Sequence, residues 1–159
     1  MGLIQLHTVR KAPIERCFDL STSIDLHKLS ASSTSEQAVA GVMNGLIKLD
    51  ETVTWRAKHF GLWHTMQVQI TLYQRPQLFV DEMISGSFKF MKHEHEFIEK
   101  TDHCLMIDSF DFSSPFGYLG KLVDKTILNR YLTNFLRARN SVIKEFAETD
   151  KWKDVLLSK

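Results

Sequence analysis

The run Met66-Gln67-Val68-Gln69-Ile70-Thr71-Leu72-Tyr73 alternates apolar and polar side chains without a break. Successive side chains of a strand point to opposite faces, so a strand here has one face to bury and one to wet. Further along, Leu119, Leu122, Val123, Ile127, Tyr131, Phe135, Val142 and Phe146 recur mainly at three- and four-residue steps, the spacing that lines up one face of a helix. Near Pro115 the period therefore changes from two to about 3.6. That change constrains the fold most, because it places the strands before a single long helix over about 115–147. Such a helix of roughly 30 residues is about 45 Å long, and only a strongly curved sheet covers an apolar stripe of that extent.

The other elements follow from local signals. Residues 2–9 read as a first strand, ended by Lys11-Ala12-Pro13. Pro13 suits a first helical turn, where its missing N–H has no partner to lose, so a short helix is predicted over 14–20 and a second over 25–29. Strand-like runs lie near 36–42, 51–60, 65–74, 77–84, 87–98 and 103–112. They are separated by turn chemistry at Asn44-Gly45, Gly61, Arg75-Pro76, Ser85-Gly86 and Lys100-Thr101-Asp102. Short connections make the sheet antiparallel, and the order gives an α+β fold with about seven strands. Val68, Ile70 and Leu72 are expected to face the helix. Gly117 and Gly120 lower helix propensity and are expected to loosen the helix start. Residues 1–159 read as one domain, with 150–159 a tail whose Trp152 docks on it.

Charge excludes some partners. The formal net charge of +1 supplies no field that selects nucleic acid or anionic membrane. Lys121, Lys125, Arg130, Arg137, Arg139 and Lys144 on the terminal helix are interleaved with Asp124, Glu145, Glu148 and Asp150, which reads as a solvated face. Cys17 and Cys104 have no metal or redox spacing and read as reduced thiols. The Leu3 to Leu6 patch is too short for a signal-peptide core, and no apolar run approaches a membrane span. The expectation is a cytoplasmic protein with no integral membrane association and no nucleic-acid partner.

Several stretches, in their order, carry a family resemblance. They are Ala12-Pro13-Ile14-Glu15-Arg16-Cys17-Phe18-Asp19-Leu20, then Glu51-Thr52-Val53-Thr54-Trp55-Arg56-Ala57-Lys58-His59-Phe60-Gly61, then Arg75-Pro76-Gln77-Leu78-Phe79-Val80-Asp81-Glu82-Met83. Gly86-Ser87-Phe88-Lys89-Phe90, His93-Glu94-His95, Met106-Ile107-Asp108 and Pro115-Phe116-Gly117-Tyr118-Leu119-Gly120 follow. Over nearly its whole length the chain resembles the START-like (SRPBCC) superfamily, and within it the bacterial polyketide cyclase/dehydrase-like group. Asp50 departs from that pattern, standing where the group often has glycine. The resemblance implies a helix-grip fold: a curved antiparallel sheet around the C-terminal helix, two short helices after strand one, and a hydrophobic cavity between sheet and helix. It names no single reaction, because the superfamily includes lipid and hormone binders, cyclases and chaperone cofactors.

Within such a cavity Trp55, Met83, Phe90, Met106, Phe110, Tyr131 and Phe135 are the expected ligand contacts, since methionine adapts to irregular shapes and aromatics give broad contact. His93 and His95 share one strand face about 7 Å apart, which suits two ligands of one metal if a third is supplied by His59, His64, His103, Asp108 or Glu82. The alternative, a hydrogen-bonded histidine pair, is preferred, so no metal and no cofactor are expected. Asp81, Glu82 and Asp108 sit in apolar strands. Directed inward, one could act as a general acid or base; period two instead favours their pointing outward or pairing with Arg56, Arg75 or Lys89. The catalytic candidates are Asp108 and His93. The preferred reading is noncatalytic binding of a small hydrophobic or aromatic molecule. A polyketide cyclase/dehydratase-like enzyme is the alternative, and a protein-interaction module the third.

Overall fold

The computed structural model describes residues 1–115 and 124–158. Strand β1 (Gly2–Arg10) leads through Pro13 into helix α1 (Ile14–Thr22) and then α2 (Ile24–Ser30). Ser23 separates the two helices, and its hydroxyl accepts from the Leu26 amide at 3.2 Å, an N-cap of the kind that stabilises a helix by about 1 kcal/mol. Strands β2 (Gln37–Gly41), β3 (Thr52–His59), β4 (Leu62–Gln74), β5 (Leu78–Ser85), β6 (Phe90–Glu99) and β7 (Cys104–Ser113) follow. A π-helical turn at Asp124–Leu128 runs into α3 (Asn129–Glu148), and a short α4 (Trp152–Leu156) ends the described chain. The seven strands form one antiparallel sheet in the order β1-β7-β6-β5-β4-β3-β2.

Period two governs the inner face. On β6 Met91, His93, His95 and Phe97 are buried, and on β7 Cys104, Met106, Asp108, Phe110 and Phe112 are. Val68 and Ile70 also point inward at 4% and 2% exposure. Leu72, expected to do the same, does not: it is 37% exposed, and Tyr73 packs inward against Phe18 instead. The cause is a bulge between Ile70 and Leu72, where one extra residue on β4 reverses the alternation.

Two backbone positions fix the β2–β3 connection. Gly41 has φ +73°, and a Cβ there would lie 2.2 Å from the Thr52 carbonyl oxygen, so glycine is required. Asp50 has φ 64°: it occupies the left-handed position that glycine otherwise takes, so the departure from the expected pattern leaves the turn intact. Its N–H donates to Ile70 O at 2.9 Å.

Helix α3 lies across the concave face with Leu132, Leu136, Arg139, Asn140, Ile143 and Ala147 buried. The sequence stripe marked an adjacent strip of this face: Tyr131, Phe135, Val142 and Phe146 are only partly buried and flank the core, and Ile127 is exposed. Arg139 and Asn140 hold inner positions where an apolar residue would be expected, which hides the true centre of the stripe from a hydropathy pattern. The first part of the predicted 115–147 helix, including Gly117 and Gly120, lies outside the described residues. Lys144 Nζ donates to Val9 O at 2.6 Å and Glu148 accepts from the Lys11 amide at 2.8 Å, tying α3 to β1. Trp152 docks as expected, under the Arg16 guanidinium at 4.4 Å. Cys17 and Cys104 are both buried thiols.

Candidate functional site

The inner face is polar at its centre. His93, His95 and Asp108 are 3%, 1% and 1% exposed. β6 and β7 pair His95 with Asp108 and His93 with Phe110, while β5 sets Asp81 opposite His93. The strand geometry thus gathers two histidines and two aspartates on one patch. The expectation that these carboxylates point outward or pair with Arg56, Arg75 or Lys89 is overturned for Asp81 and Asp108, because the phase of β5 and β7 turns both inward. Arg75 instead pairs with Asp19, Nε to Oδ1 at 2.8 Å, and Arg56 lies over Trp63 at 4.6 Å.

Asp108 is the hub. His93 Nε2 lies 3.1 Å from Oδ1, and Asn140 Nδ2 donates to Oδ2 at 2.5 Å. His95 Nε2 lies 3.0 Å from Asp81 Oδ2. Its Nδ1 is 2.8 Å from Asp108 Oδ1 but off the line a hydrogen bond needs. The two imidazole rings are 3.8 Å apart, well inside the spacing of their backbones, and Phe79 stacks on the other face of His95 at 4.1 Å.

Charge in this patch follows from those contacts. Burial disfavours ionised Asp108, but the His93 and His95 interactions outweigh it and hold its pKa well below the ordinary carboxylate value. Burial opposes ionised Asp81 in the same way, and His95 first among its neighbours outweighs that and lowers its pKa. Burial also opposes charge on His95, yet Asp108 and Asp81 together raise its pKa. His93 goes the other way, pushed down to about 4 by burial and by repulsion from His95, despite Asp108. A neutral His93 beside an ionised carboxylate must carry its proton on Nε2, because Asp108 only accepts. The patch therefore favours the charged form of His95 and the neutral form of His93 between two carboxylates, an arrangement that can donate or accept a proton.

The patch also bears on metal binding. Asp81, His93 and His95 bring three ligand-type atoms within 4.8 Å of one another, a donor set that transition metals accept. The third member is Asp81, which the sequence reading weighed only as an acid or base; Asp108 and Asn140 stand behind the imidazoles. A metal here would have to displace the proton that His95 shares with Asp81.

The seven expected ligand contacts divide into two groups. Trp55, Met106 and Phe110 are closed into the core at 5%, 1% and 8% exposure, Trp55 lying flat on His27 at 4.0 Å and Phe110 meeting the His93 ring edge-on at 5.0 Å. Met83, Tyr131 and Phe135 are half-buried and Phe90 is 40% exposed. Tyr131 and Phe135 stand where the β3–β4 turn meets α3: Tyr131 bonds His59 Nδ1 at 2.7 Å and packs on Phe60 at 4.5 Å, and Phe135 meets the His59 ring at 5.9 Å. Phe90, alternating with buried Met91, faces the outer side of β6, so the expectation that it lines the cavity is corrected. His64, named as a possible metal ligand, bonds Ser87 at 2.9 Å, and His103 pairs with Asp102 at 2.6 Å; neither joins the His93–His95 patch. A cleft between β1 and α3, lined by Gln5, His7, Thr8, Arg137, Asn140 and Lys144, approaches the patch from the side through Asn140. A second opens between the start of α1 and strands β5 and β6, by Ile14, Pro76, Gln77 and Glu96.

Comparison with solved structures identifies the architecture. The chain is similar to TTHA0849 from Thermus thermophilus, with 13% identity and a TM-score of 0.74 over 91% of this chain and 95% of that one. It is also similar to a START superfamily protein from Mycobacterium smegmatis, at 10% identity and a TM-score of 0.69 over 91% and 98%. Ginseng major latex-like protein 151 from Panax ginseng matches at 16% identity and a TM-score of 0.67 over 92% and 97%. No protein-family model and no curated protein matches the sequence. The chain has the helix-grip fold of the START-like superfamily. Among the described residues no helix is long and apolar enough to cross a membrane.

Sequence reasoning missed four residues of this interior: Arg10, His27, Glu36 and Arg139. Arg139 had been placed on a solvated face, yet it is 7% exposed. The available signal was its position on the helix, three residues after Leu136 and four before Ile143.

Proposed function

We propose that the protein binds a small molecule with an apolar or aromatic body between the concave sheet and α3, in the manner of a carrier rather than an enzyme. The observation that carries the reading is the half-buried group Met83, Tyr131 and Phe135, left partly uncovered on an otherwise closed inner face. Adaptable and aromatic side chains left partly uncovered beside a buried polar patch match the composition of small-molecule sites, which are mostly apolar with a few placed polar groups. The helix-grip fold supports it as a fold whose concave face encloses ligands in other proteins.

The test is uptake of the neutral fluorescent probe N-phenyl-1-naphthylamine. The wild-type protein is expected to enhance its emission saturably. Phe135→Arg and Ala57→Trp, which put charge or bulk into the same space, are expected to reduce uptake while circular dichroism shows both folded. Equal uptake by folded variants and wild type would move the binding site elsewhere.

A second reading rests on the Asp81–His95–Asp108–His93 patch. A polyketide cyclase/dehydratase-like reaction needs a proton acceptor near a ligand carbonyl, and Asp108 and His93 are the catalytic candidates. Under this reading Asp108→Asn abolishes loss of water from poly-β-carbonyl substrates, followed by mass spectrometry, and leaves probe uptake nearly intact. Unchanged turnover in that variant would exclude Asp108 as the base.

A further inference from the structure

Arg139 is only 7% exposed, and among the described residues no carboxylate forms an ion pair with it. Its Nε is enclosed without any partner. Burying a guanidinium in this way is costly, and proteins normally place a carboxylate or carbonyl against it. The candidates nearby are engaged elsewhere: Glu36 lies 3.1 Å from His27, and Asp81 lies 3.0 Å from His95. The guanidinium nonetheless stands among them, since its field acts on His27, Glu36, Asp81 and Arg10. Arg10, at the end of β1, is fully buried too. One of its amino groups donates to Ser21 Oγ at 2.9 Å, while its Nε and other amino group have no partner. Two buried arginines thus have unused donors.

Position on the helix aims Arg139 at the ligand space. Leu132, Leu136, Arg139, Asn140 and Ile143 form the inner face of α3, and Phe135, a proposed ligand contact, lies one turn before Arg139. A planar guanidinium offers paired donors that match the two oxygens of a carboxylate.

We infer that the ligand of this interior is a carboxylic acid, its apolar body against Met83, Tyr131 and Phe135 and its carboxylate on Arg139. This rests on the reading of a small-molecule site given above and specifies its ligand class. The charges already present are close to balanced, with Asp81, Asp108 and Glu36 set against His95, Arg10 and Arg139. An added carboxylate therefore leaves one negative charge in excess. His27 is placed to take the compensating proton: it lies against Glu36, stacks on Trp55 from β3, and feels Arg139 from α3 and Asp81 from β5, burial and then Arg139 keeping it neutral.

The experiment is calorimetric titration of the folded protein with 2-naphthoate and with 2-naphthamide, two ligands of nearly the same shape that differ in charge. Wild type is expected to bind naphthoate at least tenfold tighter than naphthamide, and tighter at pH 6 than at pH 8. Arg139→Gln is expected to remove that preference, so that the variant binds naphthoate no tighter than naphthamide; Arg139→Met, similar in length and lacking donors, serves if the Gln variant does not fold. Equal binding of both ligands by wild type overturns the carboxylate site and leaves the small-molecule reading standing. A preference retained in the folded variants overturns the role of Arg139, and one that does not vary with pH overturns the proton uptake. Binding of neither ligand overturns both readings.

Discussion

His93 makes a quantitative claim on stability. Its pKa is pushed down to about 4 in the folded protein, against an ordinary value near 6.5. Between those two values the unfolded chain holds a proton that the folded chain refuses. Stability is therefore lost as pH falls through that window. At pH 4.5 the linkage amounts to about 2.5 kcal/mol relative to pH 7, a large part of the roughly 5–15 kcal/mol that holds an ordinary domain together. The perturbation is His93→Gln, whose side-chain amide still donates to Asp108 but does not titrate. Urea denaturation followed by tryptophan fluorescence at pH 7 and pH 4.5 measures the difference for both proteins. Wild type should lose about 2.5 kcal/mol more than the variant over this interval. His27 and His59, both also held low chiefly by burial, titrate in both proteins and cancel in the comparison. Parallel losses would refute a neutral, proton-excluding His93. His95 has the opposite sign: its raised pKa contributes stability that is fully present below about 6.5 and lost as pH rises through the folded value. The two contributions together peak at about pH 6.5.

Asp50→Gly should raise stability by up to about 1 kcal/mol, because a left-handed non-glycine residue is strained by about 1–2 kcal/mol and glycine's chain entropy returns part of that; chemical denaturation measures it, and a loss would mean the Asp50 side chain is needed. The β4 bulge predicts unequal costs for neighbouring apolar residues: Ile70→Ala should cost about 2–5 kcal/mol, and Leu72→Ala less than about 1 kcal/mol. Similar costs in the same assay would contradict the reversed phase. Excess zinc should leave the melting temperature unchanged, since His95 shares its proton with Asp81; an upward shift abolished by His95→Ala would make the Asp81–His93–His95 group a metal centre.

Local periodicity carried the architecture because each element states its own period. The strict alternation of 66–73 marks β4, Pro13 marks the start of α1, and the order of elements leaves the helix-grip fold as the arrangement that covers the terminal helix. Side-chain direction was legible only where the strand kept its register with its partner. The extra residue at the Ile70–Leu72 bulge has no signature in hydropathy, so Leu72 was assigned to the wrong face. Asp81 and Asp108 were assigned outward on average behaviour, and it is the strand phase of β5 and β7 that turns them in. Arg139 was the hardest to see, because a charged residue on a helix with acidic neighbours is usually solvated. Its place on the inner face follows from Leu136 and Ile143, and its significance from a missing partner, which sequence does not record.

The central claim is that a small molecule enters between the sheet and α3. The most direct measurement is amide chemical-shift mapping of the isotope-labelled protein during titration with N-phenyl-1-naphthylamine. The account predicts saturable shifts concentrated at Met83, Tyr131 and Phe135, with outward-facing Leu72 and Val39 undisturbed. Shifts confined to the β1–α3 cleft or the outer face, or none at saturating probe, would contradict it.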